Sequence, residues 1–257
     1  MQGLIAIWQR EFNAYFISPI FYALSTVFLF VIGLFFYLGL LGYQDIFRQA
    51  AQYPPMMERI NVNEMLMRPL FNVMSFVSVL ILMPMLTMRI FSEEKKSGTI
   101  ELILTSPVKD WHVILGKFFA AFSLYTAMIG LTLIYPLILQ IYGDPDWSPI
   151  WTAYLGMLMM GGGVLTIGIF ASSLTENQIV AAVICFGAAI ALWILDMAST
   201  YITGPIGDVL GYLSVMRHFD TFEKGILDTT DLLFYVSFIF FGLFITVRSL
   251  ESTRWRQ

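Results

Sequence analysis

Charge is scarce in this sequence. Only 12% of its 257 residues are Asp, Glu, Lys or Arg, about half the share found in ordinary soluble domains. Hydrophobic residues make up 58% of the chain, and mean hydropathy is +0.76. A soluble fold of this length has no interior large enough to hide so much apolar side chain, whereas lipid solvates it. The net charge of −4 gives nucleic acid no electrostatic reason to bind. A single cysteine, Cys185, lies in an apolar run, which excludes an intrachain disulfide and a cysteine-based metal cluster. The two histidines, His112 and His218, fall in different polar segments without ligand spacing. There is no G-x-x-x-x-G-K-[ST] loop to cradle nucleotide phosphates, and Gly116-Lys117 is not one because the upstream glycine and strand are missing. A G-x-S-x-G nucleophile elbow and an H-E-x-x-H zinc motif are also absent. The chain is therefore expected to be non-catalytic, with no metal and no cofactor of its own. No cleavable signal is expected at its beginning, since a basic leader and a small-residue cleavage site are lacking there and the first apolar run is long.

What remains is long hydrophobic runs. Six are long enough for the ~20 residues that cross a bilayer core, at about 20–42, 70–88, 118–142, 150–171, 178–197 and 232–247. The fold expected is an all-α integral membrane protein, one membrane domain over 1–257 with no internal repeat. Before the first span, Leu4, Ile5, Ile7, Trp8, Phe12, Tyr15 and Phe16 share one helical face and Gln2, Gln9, Arg10 and Asn13 the other, with Glu11 at the border. That pattern over residues 2–16 predicts a helix lying in the membrane interface. Gly161-Gly162-Gly163 and Gly168 in the fourth span allow close helix approach or a local break, and packing is the commoner explanation. The segments 43–69 and 198–230 read as polar regions on one side, the second broken by Gly204-Pro205, Gly207 and Gly211 yet amphipathic enough to lie on or dip into the membrane. Of the 14 Lys and Arg, nine fall on the side that carries both termini and the 89–117 segment, and five on the other. The positive-inside bias therefore puts both termini in the cytoplasm.

The stretch 89–117 is the long polar interruption on that basic side. It carries Arg89, Lys95, Lys96, Lys109 and Lys117 against Glu93, Glu94, Glu101 and Asp110. Ile100, Ile103 and Leu104 fall on one helical face at i, i+3, i+4. Gly98 is placed to cap that short helix, Glu101 to reach back to the freed N–H, Pro107 to end it, and Asp110 to cap the next span. On spacing alone this is either an ordinary solvated loop or a short, firm helix braced between two spans.

The run Glu93-Glu94-Lys95-Lys96-Ser97-Gly98-Thr99-Ile100-Glu101-Leu102-Ile103-Leu104-Thr105-Ser106-Pro107, followed by Gly116-Lys117 at the next span, resembles the first cytoplasmic loop of ABC-2 type transporter permeases. It is most similar to permeases of the gliding-motility type of ABC system, and the order and lengths of the spans agree with that family along nearly the whole chain. The resemblance implies a cytoplasmic coupling helix between spans 2 and 3 that sits on a separate ABC ATPase subunit. Its contact residues would be Glu93, Glu94, Gly98, Thr99, Ile100, Glu101, Ile103, Leu104 and Pro107. Within it, Ile100, Ile103 and Leu104 would supply the apolar contact, with Glu94 and Glu101 orienting it. A second, smaller cytoplasmic contact would fall at Ser173, Thr175, Glu176 and Asn177, and the helix over 2–16 would be the connecting helix. The implied assembly has two ATPase copies carrying ATP and Mg, a second permease chain as homo- or heterodimer, and room for an extracytoplasmic accessory protein. It would reside in a bacterial inner membrane and would be an exporter.

Three function classes follow. One is the membrane subunit of an ATP-driven exporter, including a variant in which the complex does mechanical work on an envelope partner. The second is an ion- or proton-coupled secondary transporter or channel. No span carries a charge at its middle, and Glu176 and Asp196 lie at span ends where they meet water, which counts against it. The third, a membrane-bound enzyme, has no catalytic constellation to support it.

Overall fold

The computed structural model describes residues 2–52, 61–101, 109–142, 144–202 and 204–254, and every regular element among them is helical. Among the described residues, six helices are long and apolar enough to cross a membrane. This is an all-α membrane protein.

The amphipathic start forms α1 (Gln2–Ile17), and Pro19 opens α2 (Pro19–Ala50), the first span. The second span, α3 (63–87), is not a uniform α-helix. It contains two π turns, Asn63–Met67 and Ser78–Leu82. Each is followed two residues later by a proline, Pro69 and Pro84. Proline has no N–H to give the carbonyl four residues back and its ring crowds that carbonyl. Widening the preceding turn lets Arg68 N–H reach Asn63 O and Met83 N–H reach Ser78 O instead. The helix thus passes both prolines without ending.

A short helix, α4 (Ser92–Lys96), follows. The third span is α5 (Asp110–Leu131), continued after a two-residue break by α6 (Ile134–Tyr142). The break lies at the position whose carbonyl Pro136 cannot pair. Next come α7 (Trp147–Leu174), α8 (Gln178–Tyr201), two short helices α9 (Pro205–Leu213) and α10 (Val215–Glu223), and the last span, α11 (Thr229–Arg254).

The helices outrun the apolar segments. α2 continues through Asp45 and Arg48 to Ala50, and helix resumes at Asn63, so part of the expected 43–69 loop is helical. Hydropathy measures only the length that lipid covers, whereas the backbone hydrogen-bond ladder runs on into water.

α7 is the central helix. It packs against α3, α5, α8, α10 and α11, and its middle is almost wholly buried. Its glycines are contact points within an unbroken helix: a Cβ on Gly161 would sit 2.1 Å from Tyr125 Cε1. The Tyr125 hydroxyl donates to Met157 O at 3.0 Å, which locks the ring over that glycine. α1 lies against the start of α5, where Ile7 covers Gly116 and Trp8 Nε1 donates to Ser123 Oγ at 3.2 Å. Tyr15 fastens the other end of α1 by donating to Leu86 O at 2.9 Å. The ends of α7 and α11 meet where Ser173 and Ser249 hydroxyls lie 3.1 Å apart. α1, α4, the start of α5 and the end of α11 therefore share one end of the bundle. α9 and α10 cover the opposite end.

Candidate functional site

The end that carries α1 is organised around Lys117, one turn into the apolar part of α5. Its side chain is 2% exposed. The ammonium donates to Glu94 Oε1 at 2.7 Å, to Ile90 O at 3.0 Å and to Glu11 Oε1 at 3.2 Å, so all three of its donors are used. It also stands 5.2 Å from the centre of the Phe91 ring. Arg10 completes the cluster, 2.6 Å from Glu11 and 3.5 Å from Glu94. Two cations thus balance two carboxylates in a half-buried setting. Burial works to raise the Glu11 carboxyl, but Lys117 and Arg10 outweigh it and hold the group below the usual carboxylate range. The cluster ties α1, α4 and α5 at a single point.

A second tie joins the same segment to α7. Ser172 Oγ accepts from Phe91 N at 2.9 Å and Ser92 N at 3.0 Å and donates to Met88 O at 3.2 Å. Lys95 Nζ donates to Ser173 O at 2.5 Å. The first two of these bonds take up backbone N–H groups that the start of α4 leaves without helical partners.

The two stretches singled out in the sequence are therefore brought together, and a depression of about 510 Å³ lies at their seam, lined by Lys96, Glu176, Asn177, Gln178 and Ile179. Their residues do not all face outward. Glu93 is exposed and paired with Arg89 at 3.0 Å. Glu94 was expected to orient a partner but is engaged within the chain by Lys117. Gly98 does not open a helix. It lies at φ +71°, after the end of α4, and its N–H returns to Lys95 O at 3.2 Å. Glycine tolerates this left-handed conformation at a helix C-terminus because it has no Cβ. Helix resumes at Ile100. Ile100 is 7% exposed and belongs to the core of this chain, so it holds the turn down and offers no apolar contact outward. Thr99 is exposed and lies 2.9 Å from Ser97 Oγ, and Glu101 is exposed too. Ile103, Leu104 and Pro107 lie outside the described residues. Asp110 is the first helical residue of α5, with Lys109 in the cap position.

In the second stretch, Ser173 is buried, whereas Glu176 and Asn177 are exposed. Asn177 caps α8 by accepting from Ile179 N at 2.9 Å, and Thr175 Oγ1 accepts from Asn177 N at 3.1 Å. These two side chains shape the turn, leaving Glu176 at its tip.

Lys117, Glu11, Arg10 and Ser172 form the framework here; sequence reasoning counted Lys117 in the family motif but gave none of the four a role in the site. A signal for Lys117 was present: a lone lysine among Val113, Ile114 and Phe118 in an apolar helix needs a buried counter-charge. Nothing in the sequence pointed to Glu11 as its partner, 106 residues away.

No curated protein matches the sequence. A family model described as ABC-2 family transporter protein matches residues 58–219, which run from before α3 into α10 and include both stretches of this site. A match over more than half its length, with six spans among the described residues, shows the family: the chain belongs to the ABC-2 family of transporter proteins, as a membrane-spanning permease subunit.

Proposed function

We propose that this chain couples ATP hydrolysis on a separate ABC ATPase subunit to export, or to mechanical work, across a bacterial cytoplasmic membrane, with both termini in the cytoplasm. The family in general works with such a partner. In this reading two ATPase copies, carrying ATP and Mg, dock on the α1 end of a dimer of permease chains. The same reading leaves room for an extracytoplasmic accessory protein on the opposite face. The Glu93–Pro107 motif supports membership of the gliding-motility-associated group.

The observation that carries the reading is the rigid mounting of the 91–101 segment. A docking element transmits force only if it moves as one piece with the spans. Lys117 joins the segment to α1 and α5, and Ser172 and Ser173 join it to α7. The proposed docking rim is the exposed set Glu93, Lys96, Thr99, Glu101, Glu176 and Asn177, with Ile103 and Leu104 assigned to it by the motif. Ser173, Thr175 and Gly98 take shaping roles, Pro107 is assigned to the rim by the motif alone, and Glu94 and Ile100 brace the rim from inside.

The test uses Lys96→Glu and Glu176→Lys, both at exposed positions on the seam. Each is expected to lower co-purification of the ATPase at least fivefold while leaving the amount and melting temperature of the permease unchanged. Wild-type retention in both variants would remove the seam from the contact.

A further inference from the structure

The opposite end of the bundle holds a cavity of about 500 Å³ between α3, α8 and α10. The family match assigns it nothing. Three carboxyl groups line it: Asp196, Asp220 and Glu223. Two of them are partly used. Asp220 receives Arg68 at 2.8 Å and Lys224 at 2.5 Å. Asp196 accepts from Ser214 Oγ through Oδ1 at 3.0 Å, leaving Oδ2 without a bond among the described residues.

Glu223 is different. The residue is 5% exposed and its side chain only 1%. Oε2 accepts from Asn72 Nδ2 at 2.9 Å and lies 3.8 Å from Arg68 Nε, but Oε1 is buried with no partner among the described residues. A carboxylate oxygen left bare in this way is costly unless a donor reaches it. Burial pushes the carboxyl up to about 8 against the pull of Arg68, so the group favours its protonated form at neutral pH. A cation that brings its own N–H takes the place of that proton.

The rest of the wall narrows the chemistry. Phe76 and Trp193 meet edge to face at 5.8 Å, giving a ring surface on which a cation rests favourably. Arg217 lines the same cavity, its guanidinium resting on Gly211 of α9 with no ion pair to a carboxylate among the described residues. It supplies a positive charge for an anion next to the cation. A bare acceptor calls for an N–H donor, which a trimethylated ammonium lacks.

We propose that this cavity binds a zwitterionic head group carrying a primary ammonium beside a phosphate, the ammonium donating to Glu223 Oε1 and Asp196 Oδ2 and the phosphate lying toward Arg217. The inference concerns binding to this chain and is independent of the ATPase reading. Phosphoethanolamine, free or as the head of an aminophospholipid, has the required chemistry.

The experiment uses the full chain, purified and reconstituted in lipid nanodiscs of phosphatidylglycerol. Calorimetric titration with phosphoethanolamine is compared with phosphocholine, and parallel discs contain phosphatidylethanolamine or phosphatidylcholine, with the lipid retained after detergent washing measured by mass spectrometry. The ethanolamine form is expected to bind at least tenfold more tightly than the choline form. Glu223→Gln is expected to remove at least tenfold of that preference, and Asp196→Asn to weaken it while retaining the wild-type melting temperature. Binding of the soluble head group identifies a free ligand, and selective lipid retention without it identifies a membrane lipid. Either supports the proposal. Equal binding of the choline form, an unchanged preference in both variants, or no binding of either form overturns it.

Discussion

Replacing Lys117 with methionine tests the framework of the α1 end. Methionine keeps most of the length and the apolar stem but removes the ammonium. Three bonds are lost at once, to Glu94, Glu11 and Ile90 O. Glu94 suffers most, because its Oε2 is already buried without a partner among the described residues and its Oε1 then keeps only Arg10 at 3.5 Å. Leaving one side of a buried ion pair uncompensated costs ~3–5 kcal/mol. The side chains of Glu94 and Glu11 are 16% and 18% exposed, so partial hydration brings the expectation to the lower end of that range. The assay is thermal and denaturant unfolding in mild detergent, for Lys117→Met, Glu94→Gln and the double variant. The double variant is expected to be more stable than the sum of the single losses by ~1 kcal/mol or more, since Glu94→Gln removes the stranded charge. A Lys117→Met protein within ~0.5 kcal/mol of wild type, or strictly additive losses, would refute the idea that this cluster braces the segment.

Three further outcomes are expected. Gly161→Ala should cost ~1–3 kcal/mol in the same unfolding assay, because its Cβ would fall 2.1 Å from a Tyr125 ring that cannot swing away; an unchanged melting temperature would contradict the packing. Ser172→Ala should cost ~1–3 kcal/mol, since it strips the acceptor from the N–H groups of Phe91 and Ser92, and it should also raise amide exchange across 91–101. For Glu223, whose carboxyl rises from 4.5 to about 8 on folding, the folded state holds the proton that the unfolded chain gives up. Stability is therefore expected to fall as pH rises between those values, by on the order of 4–5 kcal/mol across the window, and to level off above it. Arg68, Asp220, Lys224 and Asn72 face this carboxyl, and Glu223→Gln should flatten the melting temperature between pH 5 and 8.5.

The spans could be read in the sequence because lipid contact demands long apolar runs, and four of the six runs lie wholly inside one helix, whereas the second ends one residue past α3 and the third is divided between α5 and α6. Their ends could not. The polar residues from Tyr43 to Arg48 look like loop to a hydropathy scale, yet the helix continues because its hydrogen bonds are internal. The π turns before Pro69 and Pro84 also escape reading, since proline in a span signals a kink without saying how the backbone accommodates it. In the candidate site, Glu93-Glu94-Lys95-Lys96 reads as solvated loop from charge alone, but Glu94 and Lys95 find partners on α5 and α7 that lie far away in sequence. Periodicity marked Ile100 as apolar-facing, but it could not say that this side chain turns into the core of its own chain after the reversal at Gly98.

The most direct test of the central claim is purification of this chain, tagged, from native membranes, followed by identification of what elutes with it and by ATP hydrolysis in lipid. The account expects an ABC ATPase subunit in stoichiometric amount, with hydrolysis lost when that subunit is stripped away and restored when it is added back. A chain that isolates without any ATPase, and moves solute on an ion or proton gradient alone, would contradict it.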